Sequence, residues 1–371
     1  MSSRPVFGDR VRRLAERMAE EGFDLFCVGA SSDLFYLTGL ELHPDERFKG
    51  FFLRPDGVSF AVVPRLCAEE VEEVRDVLEL EVLAWDDSEG ALPSLRRAFS
   101  SFGVRPGSKV AINGAVRGLD LLMMREVLDL DFADGAHVLE ELREVKEPFE
   151  LENLRRASEI ADKAFEEVLG FIRPGVSERE IKRFLVDAME RLGASGVSFE
   201  PIVAVGAASS KPHYTGSSGI VSERDVVLLD FGCKVDGYCS DMTRTVFVGE
   251  PTPEEVEVYE AVLRAQTAAE GAVREGMVAE DLDAVARGVL ERAGYGEFFL
   301  SRLGHGIGLA VHERPYIVRG NRAILKRGMC FSVEPSVSIP GRFGVRIEDL
   351  VVVEGSSPSV LNRARKDLIV L

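Results

Sequence analysis

The sequence predicts an α/β domain followed by an α+β domain, and three observations support this. Apolar runs of strand length alternate with helix-period segments up to about residue 140. A densely charged stretch containing Pro148 follows, at 140–152. Beyond it, helical patterns come in pairs and strands come in clusters, without strict alternation. The expected division is therefore 1–140 for the first domain, 141–152 for a linker running into a helix, and 153–371 for the second domain.

Val11, Leu14, Ala15 and Met18 fall at helical spacing and stop at Gly22, after which 23–28 reads as a buried strand. Strand-like runs at 51–53, 58–63, 80–85 and 109–112 are separated by helical patterns at 68–78, 92–102 and 119–128. The sheet they imply is mixed or mainly parallel. In the second domain, Ala157, Ile160, Ala161, Ala164, Phe165 and Val168 form one apolar helix face, and Ser177 with Glu180 is a capping box opening a second helix. Strands are expected at 198–205, 226–232 and 239–248. Thr252, Pro253 and Glu255 then open another helix, a further helix follows, and strands return at 329–339 and 345–353. The order hints at an internal duplication, although no residue-level repeat accompanies it.

With 46% hydrophobic and 8% aromatic residues, 371 residues suffice for two cores. A net charge of −18 disfavours a phosphate-backbone partner, so no nucleic acid is expected. No apolar run approaches the roughly 18 residues of a membrane span, and the start MSSRPVFGDRVRRLAERM has no signal-like core; no membrane association and a cytoplasmic address are expected. Cys27, Cys67, Cys233, Cys239 and Cys330 are odd in number and scattered, which argues against a disulfide framework.

Chemistry concentrates in the second domain. Asp230 ends an apolar strand, Asp236-Gly237 turns the chain, and Asp241 returns on the partner strand. His305 and His312 share the glycine-rich segment GHGIGLAVHERP, whose glycines disfavour a helix and allow close backbone approach. Glu334 and Glu348 are bracketed by apolar residues, and a buried carboxylate needs a partner. Arg346 offers one by ion pairing, but one guanidinium does not satisfy four acids. A divalent cation pair does. The set is oxygen-rich and thiolate-free, suited to Mn²⁺ or Co²⁺ more than to structural zinc. Two ions about 3.5–4 Å apart activate water for hydrolysis. His137 stands apart and is read as structural.

DFGCKVDGYCSDMTRT, GHGIGLAVHERP, VEPSVSIPG and GVRIED, in that order, resemble the pita-bread-fold metallopeptidases, the family of methionine aminopeptidase, aminopeptidase P and prolidase. The likeness covers roughly 145–371, and the preceding part resembles the creatinase-type N-terminal domain. The resemblance implies that Asp230 chelates one ion, that His305 and Glu334 bind the other, and that Asp241 and Glu348 bridge both. It implies a metal-bridging hydroxide as nucleophile and Glu334 as its proton acceptor. It also implies that His213 and His312 contact the substrate carbonyl, and that Thr243 and Arg346 fix the ligand carboxylates. Mn²⁺ is the first choice of ion, with Co²⁺, Fe²⁺ or Zn²⁺ as alternatives, and a homodimer is expected.

YLTGLELHPDERF resembles the loop of short bacterial Xaa-Pro dipeptidases that approaches the other subunit's active site, making His43, Glu46 and Arg47 candidate substrate contacts. Tyr316 stands where some prolidases carry an arginine, so Arg314, Arg319 or the Arg47 contributed by the other subunit is expected to hold the substrate carboxylate; Arg314 and Tyr316 join the candidate contacts. Ser336 and Ser338 also depart from the family pattern. The leading expectation is hydrolysis of Xaa-Pro dipeptides. The alternatives are aminopeptidase P activity on longer peptides, hydrolysis of a non-peptide, ectoine-like amide, and a non-catalytic binding protein on the same fold.

Overall fold

A computed structural model describes residues 4–75 and 79–371. It divides into two units, one ending at Arg143 and one spanning Glu144–Leu371.

In the first unit the chain runs α1 (Arg4–Glu21), β1 (Leu25–Gly29), α2 (Ser32–Thr38), β2 (Gly50–Leu53), β3 (Ser59–Pro64), α3 (Ala68–Glu72), β4 (Leu80–Trp85), α4 (Leu92–Ser101), β5 (Lys109–Ile112), α5 (Gly118–Val127) and β6 (Asp131–Asp134). Its sheet has the order β4-β3-β2-β1-β5-β6. The β3/β4, β1/β5 and β5/β6 pairs are parallel, and β1/β2 and β2/β3 are antiparallel, so the sheet is mixed. Leu14 and Met18 are fully buried, as the helical spacing requires, and Phe52 stacks on Phe60 at 4.7 Å between ring centroids. Of the helix expected over 68–78, α3 forms Ala68–Glu72, the chain turns at 73–74 and is helical again at 75, and 76–78 lie outside the described residues. Helix α2 was not anticipated: at seven residues, capped by Ser31 and closed by left-handed Gly39, it is too short to show a period.

Most of the stretch read as a linker is helical. Helix α6 (Ala136–Glu144) takes up its beginning and α7 (Pro148–Leu169) its end, leaving 145–147 between them.

The second unit continues with α8 (Glu178–Arg191), β7 (Gly196–Val197), β8 (Ile202–Val205), β9 (Asp225–Phe231), β10 (Cys233–Val235), β11 (Tyr238–Cys239), β12 (Met242–Val248), α9 (Pro253–Ala272) and α10 (Ala279–Arg292). It ends with β13 (Gly304–Gly306), β14 (Glu313–Ile317), β15 (Cys330–Val333), β16 (Ser336–Ile339), β17 (Phe343–Arg346), β18 (Asp349–Val353) and β19 (Pro358–Val360). Both expected capping boxes close, Ser177 with Glu180 and Thr252 with Glu255. Each helix pair has its own apolar core. The α7/α8 core takes Val227, Leu229 and Phe231 from β9, and the α9/α10 core takes Phe331, Val333, Val351 and Val353 from β15 and β18.

That alternation along β9 aims Asp230. Strand side chains alternate faces, so the apolar 227, 229 and 231 turn Asp230 to the opposite side. Burying each such apolar side chain contributes roughly 1.5–3 kcal/mol. A one-residue slip would expose them and drive the carboxylate into the helix core. Thr243 of β12 is the cross-strand partner of Asp230 and shares its face.

Three expected strands are interrupted. The run 239–248 breaks at 240–241, 329–339 at 334–335, and 345–353 at 347–348. Asp241, Glu334 and Glu348 occupy those breaks; Asp241 and Glu334 stand where the backbone leaves its ladder, and Glu348 where it bridges instead to Thr243 of β12, so that each side chain can turn inward. All five cysteines are buried and free, and no described helix is long and apolar enough to cross a membrane.

Candidate metal centre

Asp230, Asp241, His305, Glu334 and Glu348 line one cavity of about 620 Å³ in the second unit, together with His213, His312 and Arg346. The Asp236-Gly237 turn forms as expected, both residues adopting positive φ between paired Val235 and Tyr238, and β11 and β12 follow it back to the cavity. His305 lies on strand β13, in the segment whose glycines argue against a helix. Its neighbours explain how a strand fits there: a Cβ on Gly304 would lie 1.8 Å from the Ser332 carbonyl oxygen, and one on Gly306 2.1 Å from that of Arg314. Only glycine permits so close an approach.

His305 Nδ1 lies 3.2 Å from the carbonyl oxygen of Gly306, which requires its proton on Nδ1 and leaves Nε2 facing the acids. Nε2 is 3.2 Å from Glu334 Oε1 and 3.6 Å from Asp241 Oδ2. Ligand atoms of Asp241, His305 and Glu348 all lie within 4.8 Å of one another, close enough to share an ion. Thr243 Oγ1 donates to Glu348 Oε2 at 2.6 Å and accepts from Arg346 Nε at 3.0 Å, while Arg346 Nη2 donates to Asp230 Oδ2.

The residues fit a cationic guest. Asp230 Oδ1, Asp241 Oδ1 and Glu348 Oε1 are buried and have no hydrogen-bond partner among the described residues. Burial, and then the charges of neighbouring acids, push the carboxyls of Asp241 and Glu348 well above the ordinary range. Burial raises Asp230 too, against the opposing charge of Arg346. For Glu334 burial is outweighed by the hydrogen bond and charge of His305, and its carboxyl stays low. Such a cluster is costly without cations.

His312 packs edge-on to His305, with ring centroids 4.3 Å apart. Burial first, then His305 and Arg302, hold its imidazole down to about 4, so it is neutral at physiological pH. His213 reaches the same cavity from the turn at 212–213, just before Tyr214. Of the candidate substrate contacts, Arg314 and Tyr316 do not line the cavity. Tyr316 instead lies under the guanidinium of Arg302, 4.7 Å from its ring centroid. Arg302 does line it and forms no ion pair among the described residues. No motif singled it out, because it stands in an unpatterned stretch. His43, Glu46 and Arg47 belong to the first unit, where Arg47 donates to both oxygens of Asp87 and to Glu46, and the His43 carbonyl accepts from Lys49.

Residues 152–355 match the model of metallopeptidase family M24, and residues 10–145 match the creatinase/prolidase N-terminal domain. The chain belongs to metallopeptidase family M24. This M24 peptidase is 36% identical to a Xaa-Pro dipeptidase of Lactobacillus delbrueckii subsp. lactis, over 97% of this chain and 98% of that one. A prolidase structure from Thermococcus sibiricus is similar at 38% identity and a TM-score of 0.93, with 98% of each chain covered. An X-Pro aminopeptidase structure from Thermotoga maritima is similar at 30% identity and a TM-score of 0.85, covering 97% of this chain and 99% of that one. These full-length likenesses give a creatinase-type α/β domain joined to a pita-bread catalytic domain, and membership in the family implies divalent metal ions and a peptide substrate.

Proposed function

We propose that this M24 peptidase is a Xaa-Pro dipeptidase that uses two divalent ions, Mn²⁺ first, and works as a cytoplasmic homodimer. Asp230 is assigned to one ion, His305 and Glu334 to the other, and Asp241 and Glu348 to both. Charge supports two ions. Of the two arginines in the cavity, Arg346 is the one that bonds a ligand carboxylate, and four carboxylates against that bonded guanidinium leave three negative charges at the ligand cluster, more than one divalent cation neutralises. When bound, such ions lower the pKa of water and polarise the carbonyl it attacks.

The chain's own groups supply the rest. Glu334 Oε1 is engaged by Ser332 and His305, so Oε2 is the atom free to take the proton of the attacking water and pass it to the leaving nitrogen. That transfer matters because a prolyl amide nitrogen has no hydrogen of its own. His213 and the neutral imidazole of His312 donate to the carbonyl oxygen as it gains charge. Thr243 and Arg346 hold Glu348 and Asp230 in place.

The observation that carries dipeptidase over aminopeptidase is Arg302. It is an arginine without a carboxylate partner among the described residues, in the wall of an acidic cavity and braced by Tyr316, and it suits the free carboxylate of a C-terminal proline. Arg47, already engaged by Asp87, is less free to do so. Aminopeptidase P activity is the second reading, favoured by the likeness to the Thermotoga enzyme. Relatives named as peptidases favour a peptide over an ectoine-like amide. Proline release from Ala-Pro and Leu-Pro, with Mn²⁺ and after chelation, tests the proposal. Release that depends on metal is expected, and none from any dipeptide would refute it.

A further inference from the structure

Glu178 is the first residue of α8 and is fully buried, yet among the described residues no cation bonds it. Its Oε1 accepts from the amide of Val205 at 3.0 Å. Its Oε2 accepts from the amide of Gly219 at 2.9 Å and from the hydroxyl of Tyr214 at 3.1 Å. Placement at a helix N-terminus offsets the cost of burying the charge. Four residues on, and therefore on the same helix face, Lys182 Nζ donates to the carbonyl of Gly216 at 3.0 Å. A Cβ on Gly219 would come within 2.6 Å of the Glu178 carboxylate, so the segment lies as close as a glycine allows.

These contacts converge on 214–219, a stretch with no regular secondary structure. His213 immediately precedes it and lines the catalytic cavity. No hydrogen bond from a described residue fixes the His213 ring, so its place depends on the backbone beside it. Val205, also held by Glu178, ends the strand whose Ile202 lines the same cavity.

We propose that Glu178 is the positioning residue for His213, clamping 214–219 through Tyr214 and Gly219 so that the imidazole projects into the cavity. This rests on the reading of His213 as a contact of the substrate carbonyl. The clamp needs a carboxylate, because both oxygens must accept and an amide would set N–H against N–H on one side.

The test uses the full-length, Mn²⁺-loaded protein with Y214F, E178Q, H213A and E178Q/H213A. Y214F removes one bond and leaves the backbone bonds of Glu178 intact, so it keeps the test open if E178Q folds poorly. Amide hydrogen exchange at 214–220 is expected to quicken in Y214F and further in E178Q, with the rest of the unit unchanged except at Val205, whose amide Glu178 also accepts. kcat on Ala-Pro is expected to fall about 5-fold in Y214F and about 10- to 30-fold in E178Q with KM little changed, as for loss of a bond to a charged acceptor. The double variant is expected to be no slower than H213A. Unchanged exchange in the segment, or the full E178Q loss added on top of H213A, would overturn the proposal. Wild-type kcat in H213A would instead overturn the reading of His213, while exchange still judges the clamp.

Discussion

Arg346 donates a hydrogen bond to Oδ2 of Asp230, and Oδ1 of the same carboxylate is buried without a partner among the described residues. The ion pair satisfies one half of the acid and leaves the other half for a cation. Removing one member of a buried pair typically costs about 3–5 kcal/mol. R346A is therefore expected to destabilise the metal-free protein by that order in urea unfolding. By removing a support of the ligand carboxylates it is also expected to weaken Mn²⁺ binding about 10- to 100-fold by calorimetry.

Asp241 and Glu348 repel each other in the absence of metal. D241N removes one of those charges. The chelated variant is expected to be more stable than chelated wild type by roughly 1–3 kcal/mol, while the rise in Tm on adding Mn²⁺ shrinks or disappears. Thermal scans with and without chelator read both effects, and a D241N protein with an undiminished metal shift would remove Asp241 from the centre.

E334Q keeps the shape of Glu334 and its acceptor for Ser332 but loses the base. kcat on Leu-Pro is expected to fall about 10²- to 10⁴-fold with the fold intact by circular dichroism. Full activity would remove the proton-transfer role.

Behind the centre, Glu270 shares Gln266 and Lys366 with Asp349, the neighbour of Glu348 in the chain. Burial first, and then the charge of Asp349, push its carboxyl up to about 7, against the pull of Lys366. With a folded-state value raised above the unfolded one, its contribution to stability is full below about pH 4.5 and is lost as pH rises through about 7. The loss is on the order of 3 kcal/mol. In the Mn²⁺-loaded protein, E270Q is expected to flatten the fall in unfolding free energy between about pH 5 and pH 8 in urea titrations.

Much of this site was legible in the sequence. Asp230 follows an apolar strand, and two histidines in one glycine-rich segment mark themselves. The strand breaks at Asp241, Glu334 and Glu348 were not legible, because apolar residues on both sides read as continuous strands. Glu178 was hidden by its own position: Ser177 and Glu180 announce a helix start, where an acid normally faces solvent. Arg244 shows a third limit. All its donors are used, on the carbonyls of Thr243, Glu348, Ala364 and Arg365 and on Asp349, and four of those five oxygens are more than 100 residues away in the chain. Such long-range satisfaction leaves no local pattern.

Arg302 decides between the peptidase readings, and one comparison tests it most directly: kcat/KM for Leu-Pro against Leu-Pro-amide, in wild type and in R302M. A free carboxylate held by Arg302 predicts that Leu-Pro is preferred by at least about 10-fold, the equivalent of about 1.4 kcal/mol, and that R302M loses this preference. Equal or better turnover of the amide by the wild-type protein would contradict the account of a dipeptidase.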